Sequence, residues 1–205
     1  MAYNNLKRAL IGALVISASS VAFAADKKPL LSGASASMLA NTCAGCHGTN
    51  GASTGPATPS IGGISAVYFE EVMLGFKNDE IKNTIMTRIA KGYTEDEIKA
   101  MAEFYAKQPF VVAKQSFDAD KAKKGAKLHD KYCEKCHADG GSSADDDSGV
   151  LLGQLIPYLH YSMVDYRAGD REMTKKMKKK VNALIKKEGD AGFDALFNFY
   201  AQGKQ

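Results

Sequence analysis

An all-α fold of two tandem domains is what this 205-residue sequence predicts, on three observations. Alternation of apolar and polar residues at strand spacing is absent. Apolar residues instead recur at helical spacing, as at Ile98, Met101, Ala102 and Tyr105. The second half also repeats the first. With Cys43 laid over Cys133, an offset of 90, Tyr68 falls on Tyr158, Phe69 on Leu159, Phe76 on Tyr166 and Lys77 on Arg167. "AMAEFYA" (100–106) resembles "ALFNFYA" (195–201) further on. A repeat this long exceeds a solenoid unit and fits a duplicated small domain.

Residues 1–24 read as a signal peptide. Lys7 and Arg8 open it, an apolar or small-residue run follows over 9–18, and Ala22-Phe23-Ala24 supplies the cleavage site. The run is too short to cross a bilayer, so the mature chain is expected in the periplasm without a membrane span. Removing Lys7 and Arg8 takes the formal charge from +4 to +2, with no concentrated basic face for nucleic acid. The first domain is expected over 25–107. It runs from a short helix ending in "TCAGCH", through a Gly/Ser-rich loop, to helices over 66–76 and 95–107. The linker is 108–118, which holds Pro109 and no sustained helical period. The second domain, 119–205, repeats that order, with "KYCEKCH", a Gly/Ser/Asp-rich loop and helices over 157–166 and 191–201.

The chemistry lies in the cysteines. All four fall in two Cys-x-x-Cys-His motifs, Cys43/Cys46/His47 and Cys133/Cys136/His137. Cys and His each account for 4 of 205 residues, so one chance match is expected roughly once or twice in a thousand such chains. A zinc tetrahedron of both pairs would leave the fused histidines unexplained. A thioredoxin-type pair wants a βαβ context that is missing. Two thiols and an adjacent imidazole instead suit thioether attachment of haem, with the histidine reaching the iron. The expected cofactors are two covalently bound haem c groups.

A haem used for electron transfer takes a second protein ligand. Met86 stands between the two later helices of its half and is free to wrap to the far face. In the second half Met173 precedes a helical stripe of Met177, Val181, Leu184 and Ile185; Met173 is the expected ligand and Met177 its alternate. Met73, Met101 and Met163 read as core. His129 and His160 read as surface or haem-edge residues, and Tyr68, Tyr158 and Tyr161 as donors to haem propionates. The five lysines within 175–180 read as a solvated helix face, with docking of an acidic partner as the functional alternative.

"CAGCHGTNGASTGPATPSI", "FEEVMLGFKNDEIKNTIMTRIAKGYTEDEI" and "VVAKQSFDADKAKKGAKLHDKYCEKCH" resemble the dihaem cytochrome subunit of flavocytochrome c sulfide dehydrogenase. The closing "MTKKMKKKVNALIKKEGDAGFDALFNFYA" does as well. The resemblance implies two class I cytochrome c domains related by a pseudo-twofold, with propionates near their shared interface. It implies His47 and Met86 on one iron, His137 and Met173 on the other, and a Pro56 carbonyl orienting His47. Glu172 stands where the family often has proline. The implied partner is a flavoprotein sulfide dehydrogenase subunit that carries the FAD. Electrons would pass on to a soluble acceptor, with no catalytic residue on this chain. A free dihaem shuttle to a terminal oxidase is the alternative, and a haem peroxidase a third reading that needs an open sixth position.

Overall fold

The computed structural model describes residues 33–143 and 148–203, so the expected signal peptide lies outside the described residues. The described residues form ten α-helical segments, one 3-10 turn (Thr49–Gly51) and no strand. Five belong to the first half: α1 (Ala36–Asn41), α2 (Ala44–His47), α3 (Ala66–Lys77), α4 (Met86–Ala90) and α5 (Glu95–Ala106). Five follow in the second: α6 (Ala119–Tyr132), α7 (Ala138–Gly141), α8 (Ile156–Ala168), α9 (Lys175–Glu188) and α10 (Asp190–Ala201).

Local chemistry sets the helix ends. Thr94 and Glu97 form a reciprocal capping box that starts α5. Asp118 accepts from the backbone N–H of Asp120 and Lys121 and starts α6. Gly169, at φ 81°, closes α8 in a left-handed conformation that costs glycine little.

Each half builds its own core. Leu39, Phe69, Met73, Ile98, Met101 and Tyr105 pack together in the first, and Tyr105 Oη donates to Ala40 O at 2.7 Å, tying α5 to α1. Leu128, Leu159, Leu184, Phe193, Leu196 and Tyr200 form the second. Here α6 crosses α10 so closely at Gly125 that a Cβ would lie 2.1 Å from Ala195 O. The loops keep the same register. Ile61 and Gly62 donate to Gly51 O, and Leu151 and Leu152 donate to Gly141 O. Gly63 N–H bonds Tyr105 O, as Gly153 N–H bonds Tyr200 O.

The two halves meet through these loops. Val150, from the second, is buried in the first core. Gln154 is 3% exposed and reaches across to Ser60, with Ser60 N–H donating to Oε1 at 3.1 Å and Nε2 donating to Ser60 O at 2.7 Å. The connecting segment joins in, with Ala113 N–H on Gly153 O and the Gln115 amide on Gln154 O. Lys82 and Asp170 also pair between halves at 2.6 Å, but both are largely exposed and such pairs add little.

Candidate haem-binding sites

The first cysteine motif is itself a helical turn. His47 N–H closes onto Cys43 O at 2.9 Å, and the chain then reverses at Gly48, φ 75°. A Cβ on Gly48 would lie 1.9 Å from Ala52 O, so only glycine lets the chain turn directly after the histidine. Cys43 packs half-buried against the first core, and Cys46 is exposed. Burial pushes the Cys43 thiol pKa up, and burial does the same to Cys133. That is opposite to the lowered pKa of a reactive redox pair. Among the described residues no three His, Cys, Asp or Glu side chains gather as a metal cluster, so the two pairs do not build a shared zinc site.

His47 is buried, and its Nδ1 lies 2.9 Å from Pro59 O. A carbonyl only accepts, so Nδ1 carries the hydrogen and Nε2 keeps the lone pair an iron requires. Burial also pushes the imidazole pKa down, against the opposing pull of the Pro59 bond, which favours this neutral form. The orienting carbonyl is that of Pro59 and not of Pro56, which corrects the expectation drawn from the resemblance. The loop is fixed by Ser53, whose Oγ donates to Thr58 O, and by Ser60, and this path brings the second proline to the ring.

Met86 opens α4 and packs on the same core as Cys43. Asn83 Oδ1 holds it there by accepting from Met86 N–H at 2.9 Å and Ile85 N–H at 3.0 Å. The second half offers the same set of donors. Cys133, Met173 and Met177 are half-buried on the second core, with Cys136 exposed and His137 directly after it. Thr174 Oγ1 accepts from Met177 N–H at 3.2 Å, which mirrors the cap on Met86. Two thiols, a histidine and a core-facing methionine per half are a donor set that fits haem c.

His129 differs from its reading as a surface residue. It is fully buried, with Nδ1 on Tyr200 Oη at 2.9 Å and Nε2 on Glu134 Oε2 at 2.5 Å, so neither ring nitrogen is left for iron. The bond from His129 comes first among the causes that hold the Glu134 pKa below the ordinary carboxylate range. Glu134 also accepts from Asp139 and Gly140 N–H and braces the turn after His137. His160 is exposed and packs edge-on to Tyr161.

A cluster that sequence reading found only in part lies between the halves. Arg171 Nη2 donates to Tyr68 Oη at 3.0 Å, lies beside Tyr158, and sits 4.8 Å above the Tyr166 ring. Tyr68 rests on Gly149 of the other half, where a Cβ would lie 2.9 Å from it. Burial works against the Arg171 charge, but Tyr158, Tyr68 and Tyr166 outweigh it and hold its pKa above the ordinary value. Among the described residues Arg171 forms no ion pair with a carboxylate. Tyr161, expected with Tyr68 and Tyr158, is 60% exposed and outside this cluster.

The cytochrome c family model matches residues 33–107. The cytochrome subunit of sulfide dehydrogenase from Chlorobaculum tepidum is 47% identical over 68 residues, 33% of this chain and 61% of that relative, so less than two thirds of its length is spanned. Cytochrome c-554(548) of Halomonas halodenitrificans is 33% identical over 70 residues, 33% of this chain and 84% of that protein. The thiosulfate dehydrogenase electron acceptor of Stutzerimonas stutzeri is 28% identical over 173 residues, 80% of each chain. Reduced cytochrome c4 from Pseudomonas stutzeri superposes with a TM-score of 0.69 at 23% identity, over 80% of this chain and 94% of that one. The likeness in fold extends across both halves, and the architecture is two tandem class I cytochrome c domains. By fold, by paired Cys-x-x-Cys-His turns and by sequence, this chain belongs to the cytochrome c family.

Proposed function

We propose that this chain is a periplasmic dihaem electron-transfer subunit, which accepts electrons from a sulfide-oxidising flavoprotein subunit and passes them to a soluble acceptor. One observation carries the electron-transfer reading: each half pairs a Cys-x-x-Cys-His turn with a methionine on the same core. Bound haem c supplies one-electron exchange at its iron. Cys43 and Cys46 would hold one haem and Cys133 and Cys136 the other. His47 with Met86, and His137 with Met173, would occupy both axial positions. Such saturation leaves no sixth position for a peroxide, which argues against the peroxidase reading.

The partner is argued from likeness to the cytochrome subunit of a sulfide dehydrogenase. The FAD would belong to that partner, since no Gly-x-Gly-x-x-Gly occurs in this sequence. Lys175, Lys176, Lys178, Lys179 and Lys180 are exposed on α9 and would steer an acidic acceptor to the second half. The free-shuttle reading draws on a different observation, the likeness over most of the chain to a protein named as an electron acceptor of thiosulfate dehydrogenase.

Expression with c-type maturation should give a denatured mass equal to the chain from Ala25 plus two haems. Alone, the chain should not oxidise sulfide; with its flavoprotein, added sulfide should reduce both haems rapidly. One haem or none sinks the dihaem reading. Reduction of a terminal oxidase with no response to any flavoprotein would favour the shuttle. The Arg171 cluster is where propionate charge would be compensated. Arg171→Leu is therefore expected to lower at least one midpoint potential in a redox titration, since a positive charge near the haem favours the ferrous state.

A further inference from the structure

The peptide group between Pro59 and Ser60 is engaged at both ends. Its carbonyl oxygen accepts from His47 Nδ1 at 2.9 Å. Its N–H, on Ser60, donates to Gln154 Oε1 at 3.1 Å. A continuous chain of hydrogen bonds therefore runs from an imidazole in one half, through one amide, to a side chain in the other. Gln154 is locked in place. Nε2 donates to Ser60 O at 2.7 Å, its own carbonyl accepts from Gln115 Nε2 at 2.7 Å, and Gln115 Oε1 accepts from Ile156 N–H at 2.8 Å. Gln154 and Ser60 are buried, so water does not compete for these bonds.

We infer that Gln154 is a positioning residue through which the second half tunes the first haem, by polarising the peptide that accepts the His47 hydrogen bond. The inference rests on the proposed ligation of iron by His47. An amide whose N–H is bonded becomes a better acceptor at its oxygen, and each bond in such a chain strengthens by about 10–30%. A stronger acceptor at Nδ1–H makes the imidazole a more basic ligand, which favours ferric iron and lowers the potential. The device is one-sided. At the offset of 90, Ile64 stands at the counterpart of Gln154 and Gly149 at that of Pro59. Ile64 is buried and has no polar side-chain atom to return the contact. The second haem is thus an internal control.

The test is Gln154→Leu in the full haem-loaded chain, with each haem titrated through the NMR signal of its own axial methionine. At a fixed ambient potential the ferrous-to-ferric ratio of the first haem should rise about threefold, or about 30 mV at 59 mV per tenfold. The second haem should not move. The Nδ1–H resonance of the first axial histidine in ferrous protein should shift upfield. Gln154→Glu keeps an acceptor on Ser60 N–H and should return the first potential to the parent value or below. If Gln154→Leu only lowers the melting temperature, or moves both potentials equally, or if Gln154→Glu restores nothing, Gln154 is a clamp between halves and the inference is wrong. Should Gln154→Leu fail to fold, Gln154→Met, which keeps the length of the side chain without its acceptor or any charge, decides: a first potential that does not rise relative to the second overturns the inference, and a rise confined to the first haem supports it. Failure of the ligation itself appears earlier, as a parent protein without His/Met signals at the first haem, and overturns both.

Discussion

Gly125→Ala is expected to unfold the second half and abolish attachment of its haem. Helix propensity alone would favour alanine at this interior position by about 1 kcal/mol. Packing outweighs it. The new Cβ would lie 2.1 Å from Ala195 O and 2.7 Å from the Phe199 Cβ, and a backbone oxygen inside α10 cannot swing aside. Relief requires α6 and α10 to separate, which opens the most extensive helix contact among the described residues and costs about 3 kcal/mol. The same movement displaces the C-terminal end of α6, where Tyr132 leads into Cys133 and where His129 is held by Tyr200 of α10. Denatured mass should fall by one haem, and the first half should keep its own. A variant with two haems and an unchanged melting temperature would show that the crossing has slack.

Much of this was legible because its causes are local. Helices over 66–76, 95–107, 157–166 and 191–201 follow from apolar spacing, and the structure places α3, α5, α8 and α10 there within a few residues. The cysteine motifs were legible because covalent chemistry fixes their spacing. What stayed hidden depends on contacts distant in sequence. Gln154 sits in "GVLLGQLI", where nothing local announces a partner 94 residues away. Pro56 and Pro59 occupy one loop, and only its three-dimensional path decides which carbonyl meets His47. His129 looked peripheral because its partners, Glu134 and Tyr200, come from the motif itself and the final helix. Arg171 stays hidden in the sequence because its tyrosines come from α3 and α8.

Met86→Ala and Met173→Ala should each remove about half of the weak near-infrared sulfur-to-iron band of the oxidised protein and lower one of the two potentials. A thioether stabilises ferrous iron, so its loss shifts the balance toward ferric. Axial identity moves haem potentials within a span of about 0.8 V, far beyond what a surface substitution achieves. Met86 has a defined position: Asn83 fixes the start of α4 and the side chain packs on the core that carries Cys43. The second half packs three methionines on one core; Met163 lies inside α8, and Met173 and Met177 each have an argument as ligand. Met173 precedes the Thr174 cap of α9, two residues after Arg171, and its segment lies outside the helical stripe. Met177 shares with Met86 a backbone N–H capped from three residues earlier. It also continues the stripe through Val181 and Leu184, which marks it as packing. Truncating a packing methionine costs stability, about 2 kcal/mol at a partly buried site, and leaves the band intact. Truncating a ligand removes the band whatever the stability does. Spectrum and melting temperature together therefore separate the two roles, and loss of the band in Met177→Ala but not in Met173→Ala would reassign the second ligand to Met177.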